Sequence, residues 1–239
     1  MKSASPNELR LVFWETTTAC NLRCIHCRAE AAERRTGELT SRQSRALLDD
    51  IASFGRPVIV LSGGEPLMRE DIFEIARYGT RLGLRVVLAT NGTILTPETA
   101  RELKESGIQR VSVSIDGLDA ATHDAFRGVP GAFDAAINGV ALCKQAGLPI
   151  QINATIARHN IDQLDGLLAL AASVGACALH FFMLVPTGCG KHIADSEMIE
   201  ASEYERVLLW LHEASLSSAI NLKATCAPHY HRVIRQKAR

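Results

Sequence analysis

Six short runs rich in Val, Ile and Leu, at residues 11–17, 58–61, 85–89, 110–115, 150–155 and 178–184, punctuate the 239-residue chain. Longer amphipathic stretches at 41–54, 70–82, 97–106, 131–146 and 161–174 separate them. Apolar runs of strand length alternating with helical periodicity predict a repeated βα unit. Parallel neighbours need crossover connections, so the pattern predicts a parallel sheet covered by helices on its outer face. Periodicity leaves open whether that sheet is flat or curved into a barrel. Thr96 followed by Pro97 reads as a helix N-cap with proline in the first turn, and Gly107 and Gly147 as left-handed helix ends.

After residue 184 the rhythm changes. A loop with Gly and Pro at 185–190 leads to an amphipathic helix at 202–215, a short apolar stretch at 219–222 and a basic tail. Lys plus Arg and Asp plus Glu both number 26, which offers no net attraction to nucleic acid or an anionic membrane. No apolar run approaches bilayer length, and the N-terminus lacks the apolar core of a secretory signal, so a cytoplasmic protein is expected. Its seven cysteines are an odd number without a secretory context, which argues for reduced thiols over a disulfide framework.

Three of those thiols crowd together as C-x3-C-x2-C at Cys20, Cys24 and Cys27, directly after the first predicted strand. Strand-end loops are where parallel α/β folds place chemistry. Three thiolates can hold three irons of a cubane and leave the fourth open to a small molecule. The alternative is a structural zinc site completed by His26, although zinc sites usually pair two separate hooks and a single loop supplies all three cysteines here. The second strand ends in LSGGEP with Gly63, Gly64 and Glu65, where paired glycines allow close approach to the backbone. The third ends in ATNG with Thr90, and the fourth in SVSIDG with Ser114 and Asp116.

C-x3-C-x2-C, GGEP, TNG and S-x-D-G, in that order at successive strand ends, resemble the radical S-adenosylmethionine (SAM) superfamily over nearly the whole chain. The resemblance implies an α/β fold, a partial (β/α)6 barrel with a short α-rich C-terminal extension. It assigns residues 1–190 to the core and 191–239 to the start of that extension, which is expected to be truncated. It implies a 4Fe–4S cluster on Cys20, Cys24 and Cys27 whose open iron is chelated by SAM, and reductive cleavage of SAM to a 5′-deoxyadenosyl radical. Gly63, Gly64 and Glu65 match the segment that binds the methionyl amino group, and Thr90 a position near that moiety. Ser114 and Asp116 match a ribose-facing segment, and Arg127 an arginine that pairs with the SAM carboxylate. Asn153 and Leu184 match positions near ribose and adenine, and His26 an aromatic position against adenine.

A narrower resemblance rests on LRLVFWETTTACNLRCIHCRAEA, VLSGGEPLMREDI, SIDGLDAATHDAFRGVPGAF and KATCAPHY. These are similar to the radical SAM enzymes of alternative haem biosynthesis, the haem synthases that decarboxylate propionates of iron-coproporphyrin III and the haem d1 pathway enzymes. That resemblance implies a porphyrin substrate, a flavodoxin or ferredoxin as electron donor, and an auxiliary iron–sulfur cluster with Cys226, and also Cys189, as candidate ligands. Tyr230, His229 and His231 then become candidate porphyrin contacts, and Arg232, Arg235 and Lys237 candidate propionate partners. Cys143 and Cys177, in apolar contexts, are expected to be buried. Two other readings remain: a peptide-maturing radical SAM enzyme, disfavoured by the roughly ten residues before the first strand, and a non-catalytic iron–sulfur protein.

Overall fold

A computed structural model describes residues 9–238. The chain runs β1 (Leu11–Glu15), α1 (Ser41–Phe54), β2 (Val58–Ser62), α2 (Ile72–Arg81), β3 (Arg85–Thr90), α3 (Pro97–Glu105) and β4 (Val111–Ser114). It continues through α4 (Ala120–Arg127), α5 (Ala132–Gln145), β5 (Ile150–Ile156), α6 (Leu164–Ser173) and β6 (Ala178–Met183). The last elements are α7 (Ala194–Glu197), α8 (Ala201–Ser217), β7 (Asn221–Thr225) and α9 (Tyr230–Lys237). The strands lie in the order β1 to β7, every neighbouring pair parallel. Sequential order with right-handed crossovers puts the crossover helices on one face, while the short α4 sits at the rim. Residues on that face are almost fully buried, among them Ile59, Leu61, Val111, Val113, Ile152, Ile156 and Leu179.

Alternate residues face the other way, into the helix-free hollow of a half-barrel. Thr96 caps α3 by accepting the Thr99 N–H at 3.1 Å, with Pro97 in the first turn as the sequence predicts. Gly107 and Gly147 have the left-handed conformation expected of them, at φ 84° and 72°. Three features differ from the sequence reading. The sheet has seven strands, because NLKAT forms β7 beside β6. The segment after residue 190 therefore returns to the sheet and is not purely helical. The short helix α4, capped by Asp119 and stopped at Gly128, was also hidden in the sequence. Cys143 is fully buried as expected, whereas Cys177 is exposed at the foot of β6. No helix among the described residues is long and apolar enough to cross a membrane.

Candidate active site

Beyond Glu15 the chain leaves the sheet and forms the cysteine loop, which loops from other strand ends hold in place. The N–H groups of Gly64 and Glu65 donate to the carbonyls of Thr17 and Ala19 at 2.8 and 2.7 Å. From α4, the carbonyls of Phe126 and Arg127 accept the N–H groups of Ile25 and Arg23 at 3.1 and 3.2 Å. The Cys189 N–H, after β6, donates to the Cys27 carbonyl at 2.9 Å. Close approach explains two glycines: a Cβ on Gly64 would lie 2.3 Å from the Ala19 oxygen, and one on Gly128 2.2 Å from the Arg23 oxygen. At Gly64 the space is thus filled by the chain's own backbone, and the Gly64 and Glu65 amides are committed to holding the cysteine loop.

Two further groups brace the loop. The Glu38 carboxylate accepts the Thr17 hydroxyl at 2.9 Å and the Thr18 N–H at 2.7 Å. Arg69 is buried, donating to the Thr16 carbonyl at 2.6 Å and gripping Asp71 through Nε at 2.6 Å and Nη2 at 3.1 Å. Burial alone would raise the Asp71 pKa, but the hydrogen bonds from Arg69 and Ser41 and the Arg69 charge hold it below its ordinary value. Neither Glu38 nor Arg69 was singled out in the sequence; only the adjacency of Arg69 to GGEP was available as a signal.

All three loop cysteines are free and partly buried. Hydrogen-bond donors point at each sulfur. The Leu22 N–H lies 3.5 Å from Cys20 Sγ, the Ala31 N–H 3.3 Å from Cys27 Sγ, and Arg127 Nη1 3.8 Å from Cys24 Sγ. Asn91 Nδ2 is a second, longer contact to Cys20 Sγ at 3.9 Å. Burial raises the pKa of the Cys20 and Cys24 thiols, which the Leu22 N–H and the Arg127 charge respectively oppose. N–H groups and a cation directed at sulfur fit thiolates bound to a metal cluster.

A single zinc ion fits poorly. Among the described residues no three His, Cys, Asp or Glu side chains close on one point as a lone ion requires. His26 stacks on Phe126 at 3.8 Å and 9°, and its Nε2 lies 3.9 Å from Asp116 Oδ2, so it is engaged away from a fourth-ligand position. A cubane spreads its ligands over separate corners, which suits three sulfurs on one loop.

Behind Cys24 lies a buried ion pair. Asp116 has no exposed surface; its Oδ1 accepts the Thr155 N–H at 2.7 Å, and its Oδ2 meets Arg127 Nη2 at 2.6 Å. Burial would raise the Asp116 pKa, but the charges of Arg127, His26 and His123 hold it below the usual carboxylate range. Asp119, not Asp116, caps the following helix, and Arg127 is buried. Arg127 Nε, on the guanidinium that reaches Cys24 Sγ, is buried without a hydrogen-bond partner, as is His26 Nδ1, which leaves polar groups free for a bound molecule.

Glu65 and Thr90 face each other and brace the rim. Glu65 is fully buried, accepting the Thr90 hydroxyl at 2.8 Å and the Asn91 N–H at 2.7 Å. Burial pushes its carboxyl up to about 6 against these hydrogen bonds. Thr90 Oγ1 also accepts the Gly92 N–H at 3.0 Å, so this hydroxyl is engaged within the rim. Asn91 donates to Asn21 at 2.9 Å, joining the β3 loop to the cysteine loop. Ser114 and Asn153 are register partners on the hollow side, with Asn153 Oδ1 accepting from Gln151 at 2.7 Å. Leu184 follows β6 on the same rim, half-buried. The basic tail is not free: Arg232 pairs with Glu205, and Lys237 with Glu213 at 3.3 Å, which ties α9 to α8.

Two histidines outside the cysteine loop make the fold acid-sensitive. His123 Nδ1 accepts the Asp116 N–H at 3.0 Å; burial, then the Arg127 charge, lowers its pKa from 6.5 to about 4. Burial, then Lys223 and Arg110, brings His180 to about 4 as well. Both pKa values are depressed in the fold, so their contribution to stability is complete above about 6.5 and is lost as pH falls toward about 4. Glu65, raised to about 6, gains stability as it is protonated over part of that window, but the two histidines outweigh it, so melting temperatures are expected to drop, and His123→Gln should flatten part of the drop. A flat profile in the wild type would contradict this.

The half-barrel, with its cysteine loop after β1 and polar groups at successive strand ends, has a matching family model. Residues 14–171 match the Radical SAM superfamily, and the chain belongs to that superfamily. It is 51% identical over 237 residues to an AdoMet-dependent heme synthase of Methanosarcina barkeri, covering 99% of this chain and 67% of that protein. It is 46% identical to one of Nitratidesulfovibrio vulgaris, covering 100% of this chain and 65% of the relative. Among solved structures, Streptococcus suis SuiB bound to its precursor peptide SuiA superimposes with a TM-score of 0.78 at 19% identity, covering 96% of this chain and 51% of SuiB. The chain thus spans about half to two-thirds of the length of these proteins.

Proposed function

We propose that this chain is the core of a radical SAM enzyme that oxidatively decarboxylates porphyrin propionates, converting iron-coproporphyrin III to haem. The observation that carries the reading is the cysteine loop: three partly buried thiols on the rim of an open half-barrel, each with a donor aimed at its sulfur. The identity of 51% with a heme synthase supports the substrate. Cys20, Cys24 and Cys27 would hold a 4Fe–4S cluster which, when SAM is bound, supplies a 5′-deoxyadenosyl radical. The chain's own part is placement. Gly63 and Gly64, packed against the cysteine loop, would bind the methionyl amino group through their backbone, and Arg127, anchored by Asp116, offers its unpartnered Nε to the SAM carboxylate. Ser114 and Asn153 line the hollow toward the ribose, and His26 and Leu184 lie at its rim toward adenine. The half-barrel wall limits water around the reacting carbon.

Cys226, exposed directly after β7 with φ 58°, is the candidate ligand of an auxiliary cluster. Cys189, in contact with the cysteine loop, is a weaker candidate for that role. A flavodoxin or ferredoxin would deliver the electron in the cytoplasm. The test is anaerobic incubation of the complete reading frame carrying this chain with iron-coproporphyrin III, SAM and reductant. A mass loss of two formic-acid equivalents is expected. Unchanged porphyrin, with SAM cleaved only in the presence of a peptide, would overturn the reading in favour of peptide maturation.

A further inference from the structure

The helix-free face of the sheet divides into two halves of different chemistry. On β1 to β3 the residues turned into the hollow include Phe13, Val58, Val60 and Val87, and Phe13 is 65% exposed. The charged residues of that half lie at its ends, Arg85 at the foot of β3 and Glu15 at the top of β1, paired with Arg28. On β4 to β7 the same face carries Gln151, Asn153, His180 and Lys223 toward the foot and middle, with Arg110 just before β4, and Phe182 nearer the rim.

These polar residues form a connected ladder. Arg110 Nη1 donates to Gln151 Oε1 at 3.3 Å, and Gln151 Nε2 reaches Asn153 Oδ1 at 2.7 Å and His180 Nδ1 at 3.0 Å. His180 and Lys223 are register partners on adjacent strands. With Gln151 donating to Nδ1, the neutral His180 ring keeps its Nε2–H free as a donor. Among the described residues neither Arg110 nor Lys223 has an acidic partner, and Arg110 Nε is buried without a hydrogen bond. Two cations and a donor histidine without a counter-ion form a site complementary to an anion.

We propose that Arg110, His180 and Lys223 bind carboxylates of the substrate, while the apolar half of the hollow takes the face of its ring system. This assignment rests on the porphyrin reading above and deepens it. A flat apolar macrocycle with carboxylates on its edge is the class of molecule that matches one greasy wall and one cationic wall. The ladder starts at the foot of β4, roughly 20 Å of extended chain below Asp116 on the rim, and rises to the middle of β6 and β7. Carboxylates held there lie away from the cysteine loop and are therefore the ones the reaction leaves in place. The ladder fixes which edge of the ring is presented to the rim.

The test is equilibrium binding, followed by porphyrin absorbance, of coproporphyrin III and its tetramethyl ester to the wild type and to a double variant, Arg110→Gln with Lys223→Gln. Arg110 and Lys223, three strands apart, make no salt bridge among the described residues, so removing both charges should leave the fold intact, which thermal melting checks. The variant is expected to bind the free acid at least about tenfold more weakly, the scale of one charge-assisted hydrogen bond, and the ester with unchanged affinity. Equal loss for acid and ester, or no loss for either, would overturn the assignment while leaving porphyrin binding intact. A wild type that binds neither compound would overturn the assignment and the porphyrin reading together.

Discussion

Replacing Cys24 by alanine is expected to reduce 5′-deoxyadenosine release to that of a cluster-free control. Cys24 sits in the middle of the loop, its backbone carbonyl accepting the Cys27 N–H at 3.1 Å and its sulfur facing Arg127 at 3.8 Å. No other cysteine takes its place there. Cys143 is buried on α5, Cys177 lies at the foot of β6, Cys226 follows β7, and Cys189, although its N–H donates to the Cys27 carbonyl, makes no hydrogen bond with Cys24. A cubane left with two protein thiolates loses a corner iron and the geometry that positions SAM. Iron content and chromatography of the anaerobic reaction provide the readout, with Cys177→Ala as the matched control that keeps full activity. Normal cleavage by the Cys24 variant would remove the loop from the chemistry.

The second large effect is expected at Arg127. Arg127→Met leaves the Asp116 carboxylate fully buried opposite a thioether, and breaking one side of a buried pair costs about 3–5 kcal/mol. The loss should appear as a lower denaturant midpoint with an unchanged slope. Adding Asp116→Asn removes the orphaned charge, so the double variant should regain much of the lost stability. The cysteine loop stays docked in both, because it is the Arg127 backbone carbonyl that accepts the Arg23 N–H. A single variant as stable as the wild type would mean that the pair is not what holds this rim together. A double variant no better than the single would point to lost packing around the guanidinium instead of lost charge.

The six apolar strands were legible because β-branched runs such as VIVLS and RVVLAT carry a strong signal over few residues. β7 was not, because NLKAT places only Leu222 and Ala224 toward the helices and presents Asn221, Lys223 and Thr225 to the hollow. Helix α4 was hidden by its shortness; its start depends on one side-chain cap and its end on a left-handed glycine. The cysteines could be read directly, since local spacing alone brings them together. The roles of Glu65 and Thr90 could not, because their contact joins separate strand ends. GGEP was legible as a motif, but the hydrogen bonds by which the Gly64 and Glu65 amides grip the cysteine loop were not, because they join separate strand ends. The basic tail suggested anion contacts, yet two of its charges, Arg232 and Lys237, pair along α8, while Arg110 and Lys223, which have no acidic partner among the described residues, are brought to one sheet face by a register no local pattern reveals.

The most direct measurement is electron paramagnetic resonance of the anaerobically reconstituted, reduced protein before and after SAM is added. A cubane signal that shifts on SAM binding, and disappears in the Cys24 variant, is the predicted result. A reconstituted protein with no cubane, or a cubane whose spectrum ignores SAM, would contradict the assignment of Cys20, Cys24 and Cys27 as a three-thiolate site with one open corner.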